Sequence, residues 1–196
     1  MSEILNINQL DPNGSYTYAD YLLWKFQERL ELIKGKILKM SPAPSLKHQV
    51  VSGNLYLSFG KYLEGKTCKI ISAPFDVRLT TKDKKNNEVT TVVQPDLCVI
   101  CDLEKLDDKG CVGSPDLIIE ILSPGNSKKE IKIKYELYEE SGVREYWIVK
   151  PEYEEIAQYV LENGKYYLKN TFVDTETEIS PEIFPELKIN VGSIFK

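Results

Sequence analysis

Between Asp116 and Leu122 every position is aliphatic except Asp116 and Glu120, and prolines flank the run at Pro115 and Pro124. So short and apolar a segment predicts a central strand covered on both faces. Downstream, Ile131, Tyr135 and Tyr138 recur at helical spacing. They predict a helix over 127–140, opened by a Ser127/Glu130 capping box and closed by Gly142. The run 143–149 reads as the next strand, and a strand–helix–strand unit of this kind is expected to cross over right-handed. A further helical recurrence, Val50, Val51, Leu55, Leu57 and Phe59 with Tyr62 and Leu63 beyond, predicts a helix from Leu46 to near Gly65.

The remaining segments are shorter. Thr17 with Asp20 three residues on predicts a helix over roughly 18–28. The segment 31–38 alternates around Gly35 and reads as a strand pair or a bent strand. Residues 68–80 read as a strand interrupted at Ala73-Pro74, 82–88 as a charged hairpin tip, 90–100 as its return strand, and 103–114 as a polar loop. Turns are expected over 41–45 and 123–126. A hairpin joins 155–161 to 165–172 through Asn163-Gly164, and short irregular strands end the chain. The sum is a single mixed α/β domain over 1–196, a central sheet with helices on it and extra hairpins.

Composition narrows the function classes. The chain has 196 residues, ordinary apolar and charged fractions of 42% and 28%, and a net charge of -5. A nucleic-acid contact must therefore rest on a local basic face. No apolar run approaches the roughly 18 residues that span a membrane. The N-terminus lacks a basic region followed by an apolar one, so a cytoplasmic location is expected. Cys98 and Cys101 form a C-x-x-C inside an apolar run, without a second matched pair, and the cysteines read as buried free thiols rather than a zinc site. No Gly-rich phosphate loop is present.

The chemistry lies in misplaced acids. Alternation puts Asp116, Ile118 and Glu120 on one face of their strand, and Asp96 opens another aliphatic run after Pro95. Carboxylates inside apolar strands are costly unless paired or bound to a metal. If the two strands are neighbours, Asp96 and Glu120 converge, and paired carboxylates suit Mg²⁺ or Mn²⁺. Asp116, at a strand start after proline, reads as turn chemistry. Lys134 flanks the apolar stripe of its helix and can snorkel toward the acids, with Lys128 the weaker candidate. The segment 128–134 carries a local charge of +3 from four lysines and one glutamate. His48 is the only histidine. It sits at a helix start, where capping or packing is the ordinary role, and no G-x-S-x-G accompanies it.

Strung in order, Tyr16–Asp20, Glu31–Gly35, Met40–Pro44, His48, Gln94-Pro95-Asp96, Pro115–Pro124, Lys134 with Tyr138 and Gly142, and Glu145–Val149 resemble the Uma-two family of the PD-(D/E)XK restriction-endonuclease-like superfamily. The resemblance implies a restriction-endonuclease-like core. It makes Asp96 the PD aspartate, Glu120 the second acid and Glu31 the acid that completes the metal shell. Where the superfamily has E-x-K, this chain has Glu120-Ile121-Leu122, so Lys134 becomes the expected substitute. The implied activity is Mg²⁺- or Mn²⁺-dependent endonucleolytic cleavage of DNA. The alternative is a non-catalytic binding module that kept the fold, and a homodimer is left open.

Overall fold

A computed structural model describes residues 3–40, 44–80, 84–125 and 127–196. In chain order the elements are α1 (Tyr18–Tyr21), β1 (Leu30–Ile33), β2 (Lys36–Lys39), α2 (Leu46–Leu63), β3 (Lys69–Ser72), β4 (Val77–Arg78), β5 (Val92–Val93), β6 (Leu97–Ile100), β7 (Leu106–Asp107), β8 (Gly110–Val112), β9 (Leu117–Ile121), α3 (Lys128–Glu140), β10 (Glu145–Lys150), β11 (Glu155–Glu162), β12 (Lys165–Phe172), β13 (Glu178–Ile179), β14 (Ile189–Asn190) and α4 (Val191–Phe195). The strands build one six-stranded sheet in the order β2-β1-β5-β4-β8-β7, another in the order β12-β11-β10-β9-β6-β3, and a small β13-β14 pair.

The second sheet is the centre of the molecule. Its face carrying Leu97, Val99, Leu117, Ile119, Ile121, Trp147 and Val149 packs on α2 and the C-terminal segment. Its opposite face, with Cys98, Ile118, Tyr146 and Ile148, meets α3 and residues of the first sheet. Strand β9 is thus covered on both sides, as its aliphatic run predicts. β9 and β10 pair in parallel around α3. The Ser127/Glu130 capping box opens that helix, and Gly142 follows it at φ +77, a backbone conformation that favours glycine.

Several expectations change. The first helix stops at Tyr21, where the chain bends to pack Trp24 at a tilt against Tyr21, stack it on Phe26 and bridge it to Ile4. The single return strand over 90–100 is two strands in different sheets, split at Pro95, which has no N–H to donate to a ladder. The loop over 103–114 contains the β7–β8 hairpin. The tip residues 81–83 and parts of the turns at 41–45 and 123–126 lie outside the described residues. Cys98 and Cys111 are buried free thiols, and burial raises both, Cys111 to about 12. Cys68 and Cys101 instead form a disulfide, one step beyond the Lys69↔Ile100 pair of neighbouring strands. None of the described helices is long and apolar enough to cross a membrane.

Glu145, fully buried, anchors the C-terminal segment to this sheet. It accepts from Trp147 Nε1 and Gln158 Nε2 at 2.7 Å each and from the Ile183 backbone N–H at 3.1 Å. Glu145→Ala strands these donors, and a loss of about 3–5 kcal/mol is expected. Urea denaturation checks it, through a lower midpoint at unchanged slope.

Candidate active site

The segment Gln94–Pro95–Asp96 carries the chain from one large sheet to the other. One step beyond the Leu97↔Ile119 pair, the antiparallel register sets Asp96 across from Glu120. Glu120 falls on the face of the sheet that meets α3, while Asp96 sits just before β6 within reach of α2. Glu31 arrives from β1 of the first sheet, where it is 1% exposed. Lys134 reaches in from α3, with Tyr138 one turn further along the same helix face.

The four residues expected from the sequence line one pocket, Glu31, Asp96, Glu120 and Lys134. The Lys134 ammonium lies 3.0 Å from Glu31 Oε1 and 2.9 Å from Glu120 Oε1, so one cation joins an acid from each sheet. Tyr138 donates its hydroxyl to Glu120 Oε1 at 2.6 Å, and the Gln94 backbone N–H donates to Glu31 Oε1 at 2.8 Å. Asp96 Oδ2 accepts from the Ile121 N–H at 2.8 Å. Leu122, at the usual lysine position, lines the same pocket. Lys128 is exposed on the first turn of α3 and does not line it. Asp116 is occupied elsewhere, capping the Cys101 N–H and pairing with Arg144.

Three contributors were not read from the sequence. His48, on the first turn of α2, places Nε2 3.2 Å from Asp96 Oδ1, while its buried Nδ1 has no partner among the described residues. Ser45 caps that helix by accepting from the His48 N–H, which holds the ring over the strand. Burial alone would lower the imidazole, but the hydrogen bond to Asp96 and its charge outweigh this and raise it. Tyr138 reads in sequence as part of an apolar stripe. Its spacing of four from Lys134 is the signal that both serve one point. Arg29, immediately before β1 and two residues before Glu31, lines the pocket.

The electrostatics are unbalanced by design of the cluster: three carboxylates face one ammonium. Burial pushes the Glu120 carboxyl up to about 7, with Asp96 and Glu31 adding to the pull against Lys134. Burial would lower Lys134, but the charges of Glu120 and Glu31 hold it well above the ordinary lysine range. The two directions are consistent, because Lys134 has two acids and Glu120 has a share of one cation. Burial likewise holds the Tyr138 hydroxyl well above its ordinary value, so it remains a donor.

The donor set, carboxylate oxygens fronting a cavity of about 100 Å³, has the chemistry that a hard divalent cation takes. Among the described residues, the hydrogen bonds to the Glu31 and Glu120 side chains fall on Oε1 of each. Among the described residues, no three His, Cys, Asp or Glu side chains already converge as ligands, since the Lys134 ammonium bridges two of the acids.

Residues 18–192 match the family Uma2, described as "Putative restriction endonuclease". An uncharacterised protein of Synechocystis sp. (strain PCC 6803) is 27% identical over 143 residues, 71% of each chain. A crystal structure from Anabaena variabilis ATCC 29413, titled as a putative nuclease belonging to DUF820, superposes with a TM-score of 0.71 at 17% identity. It covers 92% of this chain and 97% of that one. At that identity the likeness establishes the restriction-endonuclease-like fold.

Proposed function

This chain belongs to the Uma2 family, and from that premise we propose that it is a metal-dependent endonuclease hydrolysing phosphodiester bonds of DNA. The observation that carries the reading is the Lys134 ammonium within 3.0 Å of both Glu31 and Glu120, beside Asp96 in an open pocket. A helix supplies the cation that position 122, a leucine, does not.

Asp96 and Glu120, with Glu31, would hold Mg²⁺ or Mn²⁺. Such an ion, when bound, lowers the pKa of its water and polarises a phosphate. The chain's own residues set the rest. Lys134 keeps a fixed positive charge where negative charge grows on the phosphate during cleavage. His48 and the Ile121 N–H fix the Asp96 carboxylate from two sides. Tyr138 holds Glu120 toward the pocket with its hydroxyl. Leu122, Ile121 and Tyr146 line the apolar side of the cavity and thin the water around the acids.

One observation favours a second reading, a non-catalytic module retaining the fold: the absence, among the described residues, of a ready three-ligand cluster. The two readings part in a thermal-shift titration. A carboxylate site that takes Mn²⁺ stabilises the fold by mass action, and the protein then cuts plasmid or linear DNA with Mn²⁺ or Mg²⁺. No shift at millimolar Mn²⁺ and no cleavage would leave the module. The pH dependence is specific. Without metal, Glu120 is raised above its unfolded value of 4.5, so its contribution to stability is complete below 4.5 and is lost as pH rises to about 7. Metal binding requires the ionised carboxylate. The Mn²⁺ shift is therefore expected to grow as pH climbs through about 7, opposite to the metal-free trend.

A further inference from the structure

We propose that Arg29 is the phosphate-holding residue of this pocket, setting its guanidinium against a non-bridging oxygen of the substrate backbone beside the acids. The assignment rests on the nuclease reading above. Arg29 lies immediately before β1 and Glu31 is its second residue, and both line the same cavity. Arg29 Nε and Nη2 both donate to Gln94 Oε1, at 3.1 and 2.8 Å. A neutral amide thus orients the guanidinium without cancelling its charge. Among the described residues, Arg29 has no carboxylate partner and Nη1 no hydrogen bond.

The amide is itself fixed. Gln94 Nε2 donates to Asp76 Oδ1 at 2.8 Å and to the Tyr21 hydroxyl at 3.2 Å, while its backbone N–H holds Glu31. One residue therefore sets both the acid and the arginine, two positions before Asp96.

Charge bookkeeping shows what the guanidinium is for. Glu31, Asp96 and Glu120 against Lys134 leave −2 (three negatives, one positive), and a divalent ion brings the cluster to zero. Glu130 at the rim, committed to its helix cap, adds another negative charge. Nothing in that sum attracts a phosphodiester anion. Lys39 also lines the pocket, but it pairs with Leu30 across the hairpin and so projects from the opposite face to Glu31. Arg29 lines the pocket as a cation held by a neutral amide, and the guanidinium N–H groups that Gln94 leaves free suit a phosphate oxygen.

The test uses the full chain, Mn²⁺ and a labelled DNA duplex, comparing wild type, Arg29→Gln and Arg29→Lys. Arg29→Gln is expected to lower kcat/KM by about 10- to 100-fold, the worth of a charge-assisted hydrogen bond. The salt dependence of log KM should lose about one unit of slope. Arg29→Lys should restore the slope but only part of kcat/KM, because the fork is gone. The Mn²⁺ thermal shift should match wild type in both variants. Wild type that cleaves while Arg29→Gln keeps KM and slope overturns the arginine assignment alone. An Arg29→Gln protein that loses the Mn²⁺ shift overturns it in favour of a structural role. Wild type that shows no Mn²⁺-dependent cleavage overturns the nuclease reading together with it.

Discussion

Lys134→Met is expected to lower cleavage by about 10²–10³-fold, as removal of a preorganised cation from a developing negative charge does. It is also expected to destabilise the metal-free protein by about 3–5 kcal/mol at pH 8, because two acids from different sheets then face each other without a counter-ion. The side chain is 14% exposed, so bulk water offers little compensation. The stability loss should shrink below pH 6. There Glu120, already raised to about 7 with Lys134 present, takes up a proton and removes one of the stranded charges. Urea denaturation at both pH values, with plasmid cleavage alongside, checks the pair of effects. Equal stability in variant and wild type at pH 8 would place Lys134 in solvent and sink its assignment. Lys134→Arg should not rescue turnover. A planar guanidinium cannot take the place of a compact ammonium held between two Oε1 atoms.

Glu120→Gln is expected to behave in the opposite sense for stability and in the same sense for cleavage. Cleavage should fall by about 10³-fold, since a carboxylate facing the cavity becomes a neutral amide. The metal-free fold should gain about 1–2 kcal/mol above pH 7, because the surplus buried charge is gone and replacement of buried charge is often stabilising. The amide oxygen can still accept from Tyr138 and Lys134, and Lys134 keeps Glu31 as partner. The Mn²⁺-induced shift and its rise through about pH 7 should both vanish. A Glu120→Gln protein that is less stable than wild type at every pH would mean the carboxylate is held there for the fold rather than for function.

What could be read in the chain, and what could not, follows the range of each contact. The capping box of α3, Gly142 and the hairpin joining β11 to β12 are set by residues within a few positions of one another, and the structure has them. Glu120 stood out because alternation in an aliphatic run is local. Lys134 could be placed beside it because it flanks the apolar stripe of its helix, and the departure at Leu122 in the family resemblance then gave it a role. Arg29 on Gln94 spans 65 positions, and the Gln94 N–H on Glu31 spans 63. No spacing rule reaches that far. The split of 90–100 into β5 and β6 turned on a single proline whose effect depends on which sheet waits on each side. His48 shared the helix-start position that caps and packing residues share, and only the fold of α2 over the start of β6 aims it at Asp96. The Cys68–Cys101 bridge was missed because it depends on β3 and β6 being neighbours.

The ion pair between Glu31 and Lys134 joins residues 103 positions apart in the chain. A growing polypeptide on the ribosome therefore carries the first acid long before its cation exists. Until α3 has been synthesised and has settled between the sheets, the nascent chain holds no assembled cluster.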